Sequence, residues 1–242
     1  KLLDSDVKAV EDVTFSLKTG EILGIAGESG CGKSTLAATL STVILPPLKL
    51  ISGRLITEDG KNIFELRERT LRRDIRGKYL ALIPQSAMNA LNPTKKMKDL
   101  VIDAVKAHYP KMPKEEILKN SMKQFEELGL PSRVLESYSF ELSGGMKQRS
   151  VIAISSLLNP KVLVADEPTA ALDVSTQQAV LNLLVSLKEK GIVQSIIFIT
   201  HDIAVLRQIA DRIMLMYAGM IVEIGGTEEI VFKPLHPYTQ GL

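Results

Sequence analysis

The chain predicts an α/β fold: a mostly parallel sheet flanked by helices, with a helical lobe inserted into it. Three observations predict it. A strand, a glycine-rich loop and the start of a helix follow one another over residues 21–40. Apolar strands and helical stretches alternate after Pro160, the pattern of a parallel sheet with crossover helices. Between them, from about residue 86 to 156, the periodicity turns helical.

The elements can be justified in order. Val13-Thr14-Phe15-Ser16-Leu17 alternates apolar and polar residues, which predicts a strand, and Lys18-Thr19-Gly20 turns out of it. Glu21-Ile22-Leu23-Gly24-Ile25-Ala26 reads as the next strand. It runs into Gly27-Glu28-Ser29-Gly30-Cys31-Gly32-Lys33-Ser34-Thr35, which fits G-x-x-x-x-G-K-[ST] with every position in register. Glycines let backbone N–H groups close around phosphate oxygens. Lys33 is a point charge for the terminal phosphates, and the Ser34 hydroxyl is a hard oxygen ligand suited to Mg²⁺. A helix opens at Thr35, and its N-terminal dipole favours anions. A glycine-rich turn matching by chance is the ordinary alternative; the flanking strand and helix weigh against it. The loop predicts binding of a nucleoside triphosphate.

Arg54-Leu55-Ile56-Thr57, followed by Glu58-Asp59-Gly60, predicts an edge strand and its turn. Tyr79-Leu80-Ala81-Leu82-Ile83 predicts a buried strand before Pro84. In the helical stretch, Ile117, Met122, Phe125 and Leu128 make an apolar stripe near helical spacing, a core face ended by Gly129 and Pro131. Strands are then predicted over 162–165, 195–200 and 213–217, with a helix over 174–190 and another before the last strand. Val180, Leu183, Leu184 and Leu187 share a face of the 174–190 helix; Asp173 can cap its start and Gly191 can end it.

The 242 residues are enough for a large core, with 45% hydrophobic and 24% charged residues, ordinary for a globular protein. A net charge of +2 argues against a large nucleic-acid footprint. The basic run Arg67, Arg69, Arg72, Arg73, Arg76 and Lys78 is interleaved with Glu65, Glu68 and Asp74 and lacks an aromatic platform. It reads as a solvated helix face rather than a nucleic-acid patch. The single cysteine, Cys31, excludes an internal disulfide and suits a reducing compartment. It reads as a small residue tolerated in the loop, not a catalytic thiol. No apolar run approaches the ~20 residues that span a bilayer, and no signal-peptide or repeat pattern is present. The sequence begins at Lys1 rather than Met and ends on Gly241-Leu242, so both ends are expected to be cut.

Two further motifs carry chemistry. Val162-Leu163-Val164-Ala165-Asp166-Glu167-Pro168 is an apolar strand ending in two acids. Ligands gather at the carboxyl ends of parallel strands, so Asp166 is expected to face the phosphates and hold Mg²⁺ through water, with Glu167 placed to polarise an attacking water. Acids at a strand end can instead cap the next turn; the neighbouring phosphate loop weighs against that. In Leu142-Ser143-Gly144-Gly145-Met146-Lys147-Gln148-Arg149, Ser143 can cap a helix running through Ala153. Gly144 and Gly145 leave bare N–H groups at its positive end, a second anion site.

With these motifs in place, the chain resembles the nucleotide-binding subunit of an ABC transporter over nearly its whole length. Residues 27–35 match the Walker A motif, 162–167 Walker B, and 142–148 the family signature. Gln85 after Ile83-Pro84 matches the Q-loop, Ala171-Leu172-Asp173 the D-loop, and His201 after Ile199-Thr200 the switch histidine. The resemblance implies a RecA-like P-loop core over about 1–85 and 157–242. It also implies an antiparallel β subdomain and an inserted α-helical signature subdomain over about 86–156. It implies two such subunits packed head to tail, with ATP between the Walker A loop of one and Ser143-Gly144-Gly145 of the other. Glu167 would be the catalytic base, His201 would contact the γ-phosphate and the water, and Gln85 would help hold Mg²⁺ and report nucleotide state. Lys33 would act in catalysis as well as binding, and Asp173 would join the ATP-binding set.

His108 and His236 lie outside the motif register and read as structural. Met146 stands where many members carry Gln, a permitted variant. The family stacks an upstream aromatic residue on adenine; none precedes Phe15 here, so that residue is expected before Lys1. Val7-Lys8-Ala9-Val10, Gln85-Ser86-Ala87-Met88-Asn89-Ala90-Leu91-Asn92-Pro93 and His236-Pro237-Tyr238-Thr239-Gln240-Gly241-Leu242 resemble the oligopeptide/dipeptide branch of importers. That branch also holds oligosaccharide (including cello-oligosaccharide) and nickel importers, and its members often carry an iron–sulfur cluster in a tail that would follow Leu242. The implied partners are a second ATPase subunit, identical or paralogous, two transmembrane permease subunits and an extracytoplasmic substrate-binding protein. The implied place is the cytoplasmic face of the cell membrane. Two alternatives stay open. A DNA-repair or chromosome ATPase would need long coiled-coil arms between Walker A and the signature. A non-hydrolysing regulatory subunit would not need Glu167 and His201.

Overall fold

Short apolar runs bounded by glycine, proline or charge become strands when both their faces are covered. The computed structural model describes residues 7–170 and 172–242. Strand β1, Ile22–Ala26, is buried at all five positions and leads through the phosphate loop into α1, Lys33–Leu40. A short α2, Glu68–Thr70, continues as a π-type turn over Leu71–Ile75 and precedes β2, Leu80–Ile83. Helices α3 (Met97–Lys106), α4 (Lys114–Glu127) and α5 (Gly144–Ser155) separate β2 from β3, Val162–Asp166. Then follow α6 (Val174–Glu189), β4 (Ser195–Ile199), α7 (Ile203–Ile209), β5 (Arg212–Tyr217) and β6 (Met220–Gly226). Two short helices, α8 (Thr227–Phe232) and α9 (Pro237–Gln240), end the chain.

The sheet order is β2-β3-β4-β1-β5-β6, parallel throughout except for the antiparallel β5–β6 hairpin. The parallel pairing has a direct consequence for function. It brings the residues that follow β1, β2, β3 and β4 to one edge of the sheet, where α/β proteins bind ligands. Side-chain alternation splits the core across the sheet. Ile22, Ala26, Leu163, Ala165, Ile196 and Phe198 face the side covered by α3 to α7, whereas Leu23, Ile25, Val164, Ile197 and Ile199 face α1 through Leu36, Ala37 and Leu40.

The structure departs from the sequence reading in places. Residues 13–17 form no strand. Val13, Phe15 and Leu17 do pack, partly buried, on the α1 side of the core, so the alternation records packing rather than a hydrogen-bonded ladder. The expected edge strand at 54–57 reduces to one antiparallel bridge, Ile56 to Asn62, closed by Thr57 N–H to Lys61 O at 2.9 Å. In α4, Met122 is 41% exposed, while Ser121, Ile117 and Phe125 lie inside. The i, i+4, i+8 row therefore carries a serine where the apolar stripe suggested methionine. The basic run is solvated as expected: Arg72 and Arg76 pair with Glu68, and Arg73 pairs with Asp74. Among the described residues no helix is long and apolar enough to cross a membrane.

Candidate functional site

The phosphate loop has the glycines it needs at two tight positions. Gly27 has φ +146°, and a Cβ there would lie 2.1 Å from Met216 O. Gly32 has φ +103°, and a Cβ there would lie 2.3 Å from Ala9 O. Both conformations and both approaches exclude a side chain. Glu28, Ser29 and Gly30 form the exposed mouth of the loop, and Ser34 is exposed at the start of α1 with Thr35 half-buried behind it. Cys31 is buried in the core and bonds through its backbone, as a small structural residue would. Lys33 is only 5% exposed. Its ammonium donates to Gly27 O and Glu28 O, each at 2.7 Å, and lies 3.6 Å from Cys31 Sγ.

Asp166 ends β3 with 4% exposure, and its buried Oδ1 has no hydrogen-bond partner. Burial pushes its carboxyl above the ordinary range; the Ser34 hydroxyl opposes this, the Glu167 carboxylate adds to it, and Lys33 opposes it. A buried carboxylate oxygen without a protein partner is costly, and its chemistry suits a cation. Among the described residues no three His, Cys, Asp or Glu side chains cluster as a metal cage. Mg²⁺ needs none, because it is held by one or two side chains together with substrate phosphates and water. The donor set beside Ser34 therefore fits Mg²⁺.

Glu167 continues the β3–β4 ladder, its N–H donating to Ile199 O at 2.9 Å, but with φ +47°. That left-handed conformation is strained for glutamate, and such strain concentrates at functional sites. Its Oε1 lies 3.2 Å from His201 Nδ1, and His201 follows β4 with its side chain 62% exposed. Gln85 lies two residues past β2, exposed at the same edge. Parallel strands thus bring Lys33, Ser34, Gln85, Asp166, Glu167 and His201 to one edge of the sheet.

The signature lies elsewhere. Ser143 caps α5 by accepting Met146 N–H at 3.3 Å, which leaves the first-turn amides of Gly144 and Gly145 without an intrahelical acceptor. A Cβ on Gly145 would come 2.8 Å from Thr176 Cγ2, so α5 and α6 begin side by side. Ser143, Gly144, Gly145, Arg149, Asp173 and Thr176 line an open depression of about 470 Å³ that no phosphate-loop residue lines. Asp173 caps α6, accepting Thr176 N–H at 2.9 Å, the Thr176 hydroxyl at 2.6 Å and the Ser175 hydroxyl at 2.5 Å. The two hydroxyls and the amide hold its carboxyl well below the usual range. Ala171 lies outside the described residues. Within one chain the phosphate loop and the depression at Ser143-Gly144-Gly145 are separate.

The sequence reading missed one contact. The Tyr238 hydroxyl accepts Glu28 N–H at 3.0 Å, across 210 positions of sequence. The run at 236–242 had marked a resemblance, and nothing in its pattern announced contact with the loop. His236 is structural as expected, its Nδ1 accepting Tyr238 N–H at 3.1 Å.

The chain is similar to known proteins over nearly its whole length. The chain is 41% identical over 240 residues to the dipeptide transport ATP-binding protein DppD of Caldanaerobacter subterraneus, covering 99% of this chain and 73% of that protein. It is 42% identical over 245 residues to the oligopeptide transport ATP-binding protein OppD of Bacillus subtilis, covering 100% of this chain and 67% of that one. Among solved structures, the ATP-binding cassette MJ0796, in a dimeric post-hydrolysis state bound to ADP and phosphate, superposes with a TM-score of 0.79 at 26% identity and 94% coverage of each chain. The ABC transporter family model matches residues 10–170, from before the phosphate loop to just past the paired acids. With that match over most of its length, and relatives about 40% identical over nearly all of it, the chain belongs to the ABC transporter family as one of its ATP-binding cassettes.

Proposed function

We propose that this protein is the ATP-hydrolysing subunit of an importer of dipeptides or oligopeptides. The convergence of Lys33, Ser34, Asp166, Glu167 and His201 at one sheet edge carries the reading of the chemistry. The relatives' names as dipeptide and oligopeptide transport ATP-binding proteins support the cargo class. Oligosaccharide or nickel cargo is the alternative within the same branch.

In the proposed reaction the loop amides cradle the phosphates, and Lys33 turns from Gly27 O and Glu28 O to the β- and γ-phosphate oxygens. Water attacks the γ-phosphorus while the bond to the β–γ bridging oxygen breaks, releasing ADP and phosphate. Glu167 takes the proton of that water. His201 holds the Glu167 carboxylate through its Nδ1 contact and faces the γ-phosphate. Ser34, Asp166 and Gln85 would hold Mg²⁺, which supplies positive charge to the phosphate oxygens when bound. The Ser143-Gly144-Gly145 amides of a second subunit, identical or paralogous, complete the pocket, and Asp173 lies beside them. Residues 86–156 act as the signature subdomain and 1–85 with 157–242 as the core. Two permease subunits and an extracytoplasmic binding protein complete the transporter, which places this chain peripherally on the cytoplasmic face of the membrane.

The test is Glu167→Gln in the assembled transporter. Phosphate release is expected to fall by about 10²- to 10⁴-fold, with ATP affinity retained. Parent-like hydrolysis would remove Glu167 from the role of base.

A further inference from the structure

The Gly27–Glu28 peptide plane is held from both ends. Its carbonyl accepts the Lys33 ammonium at 2.7 Å, and its N–H donates to the Tyr238 hydroxyl at 3.0 Å. We infer that Tyr238 is a positioning residue for nucleotide binding, bracing the mouth of the phosphate loop from the far end of the chain. The inference rests on the proposed triphosphate site.

Three features make Tyr238 a fixed post. The Glu223 carboxylate accepts Leu235 N–H at 2.9 Å and His236 N–H at 3.1 Å, pinning the entry to α9 onto β6. His236 caps Tyr238 N–H, and Pro237 presets the first helical turn. The Tyr238 ring packs on Tyr217, the last residue of β5, with centroids 4.8 Å apart and planes at 49°. Tyr217 follows Met216, whose carbonyl closes on Gly27. Strand end, aromatic pair and loop thus make one continuous wall.

The brace matters when Lys33 moves. Once its ammonium turns to a phosphate, Gly27 O and Glu28 O lose that partner together, and Glu28, Ser29 and Gly30 are otherwise exposed. The Tyr238 contact then keeps the peptide plane from rotating. A loop fixed in its binding form binds more tightly, because less order is lost on binding. Burial pushes the Tyr238 phenol above its ordinary range, so the hydroxyl stays protonated around neutral pH.

The experiment uses the full-length chain with Tyr238→Phe, which keeps the ring and its packing and removes the hydroxyl. ATP titration is expected to show a roughly three- to tenfold weaker Kd, the worth of one hydrogen bond. In the assembled transporter, KM for ATP should rise by the same factor with kcat within about twofold. A merely structural role would instead lower kcat through lost active protein and leave KM alone. Amide hydrogen exchange at Glu28 should speed up in Tyr238→Phe and stay unchanged in Tyr217→Phe. Parent-like ATP affinity with unchanged exchange at Glu28 would overturn the inference. Lys33→Ala separates the two readings: it should lose ATP binding, and if it binds ATP normally the site reading falls and the brace with it.

Discussion

Asp166 is the residue whose environment speaks most clearly for a ligand. It is buried with one oxygen unpartnered, and burial raises its pKa against the pull of Ser34 and Lys33. Such a group is poor framework and good bait for a cation. Asp166→Asn is therefore expected to leave the protein at least as stable as the parent without nucleotide, while Mg²⁺ no longer strengthens ATP binding. Thermal unfolding and titration with and without Mg²⁺ check this, and a Tm loss beyond about 5 °C would mark Asp166 as structural. Gly27 makes the opposite case, a residue needed for shape alone. Gly27→Ala puts a Cβ 2.1 Å from Met216 O at φ +146°. It should cost about 1–3 kcal/mol in stability and abolish tight ATP binding, read by denaturant melts and calorimetry. Lys33, Ser34, Asp166, Glu167 and His201 were legible because each belongs to a local motif tied to a strand end. Tyr238 was not, because its contact depends on where a distant chain end settles. Asp173 was legible as a helix cap, and the structure shows both of its carboxylate oxygens accepting hydrogen bonds in that role.

At the scale of elements, period and burial were read well where both faces of a strand are covered and less well at edges. Strands β2, β3, β4 and β5 follow from apolar runs, whose residues the structure mostly buries. β6 escaped notice because its residues are half-exposed and it ends in Gly225-Gly226; an edge strand paired on one side carries a weak pattern. The reverse error occurred at 13–17, where alternation without a pairing partner gives packing but no ladder. Helix α4 shows the same limit. Phe125→Ala should cost about 3–5 kcal/mol, because Phe125 is fully buried. Met122→Ala should change stability by no more than about 0.5 kcal/mol, because that side chain is 41% exposed. Equal losses in chemical denaturation would restore methionine to the core face. Gln148 ties elements together, its amide donating to Pro168 O at 2.7 Å within the core. The helix that carries the signature is thereby linked to the loop that follows Glu167.

For the whole molecule, the sheet order decides what one chain can do. The parallel pairings place the phosphate loop, the acid pair and His201 together, while Ser143-Gly144-Gly145 opens into a depression that the loop does not line. Under the proposed function one chain holds two half-sites, and catalysis needs a second subunit to join them. Ser143→Arg tests this most directly, compared with the parent for ATP binding by the isolated full-length chain and for hydrolysis by the assembled transporter. Parent-like ATP affinity is expected in the isolated chain, with a loss of hydrolysis of about 10²-fold or more, the scale of losing an oxyanion-type donor. Weakened ATP binding by the isolated chain, or undiminished hydrolysis by the assembly, would contradict the two-subunit site.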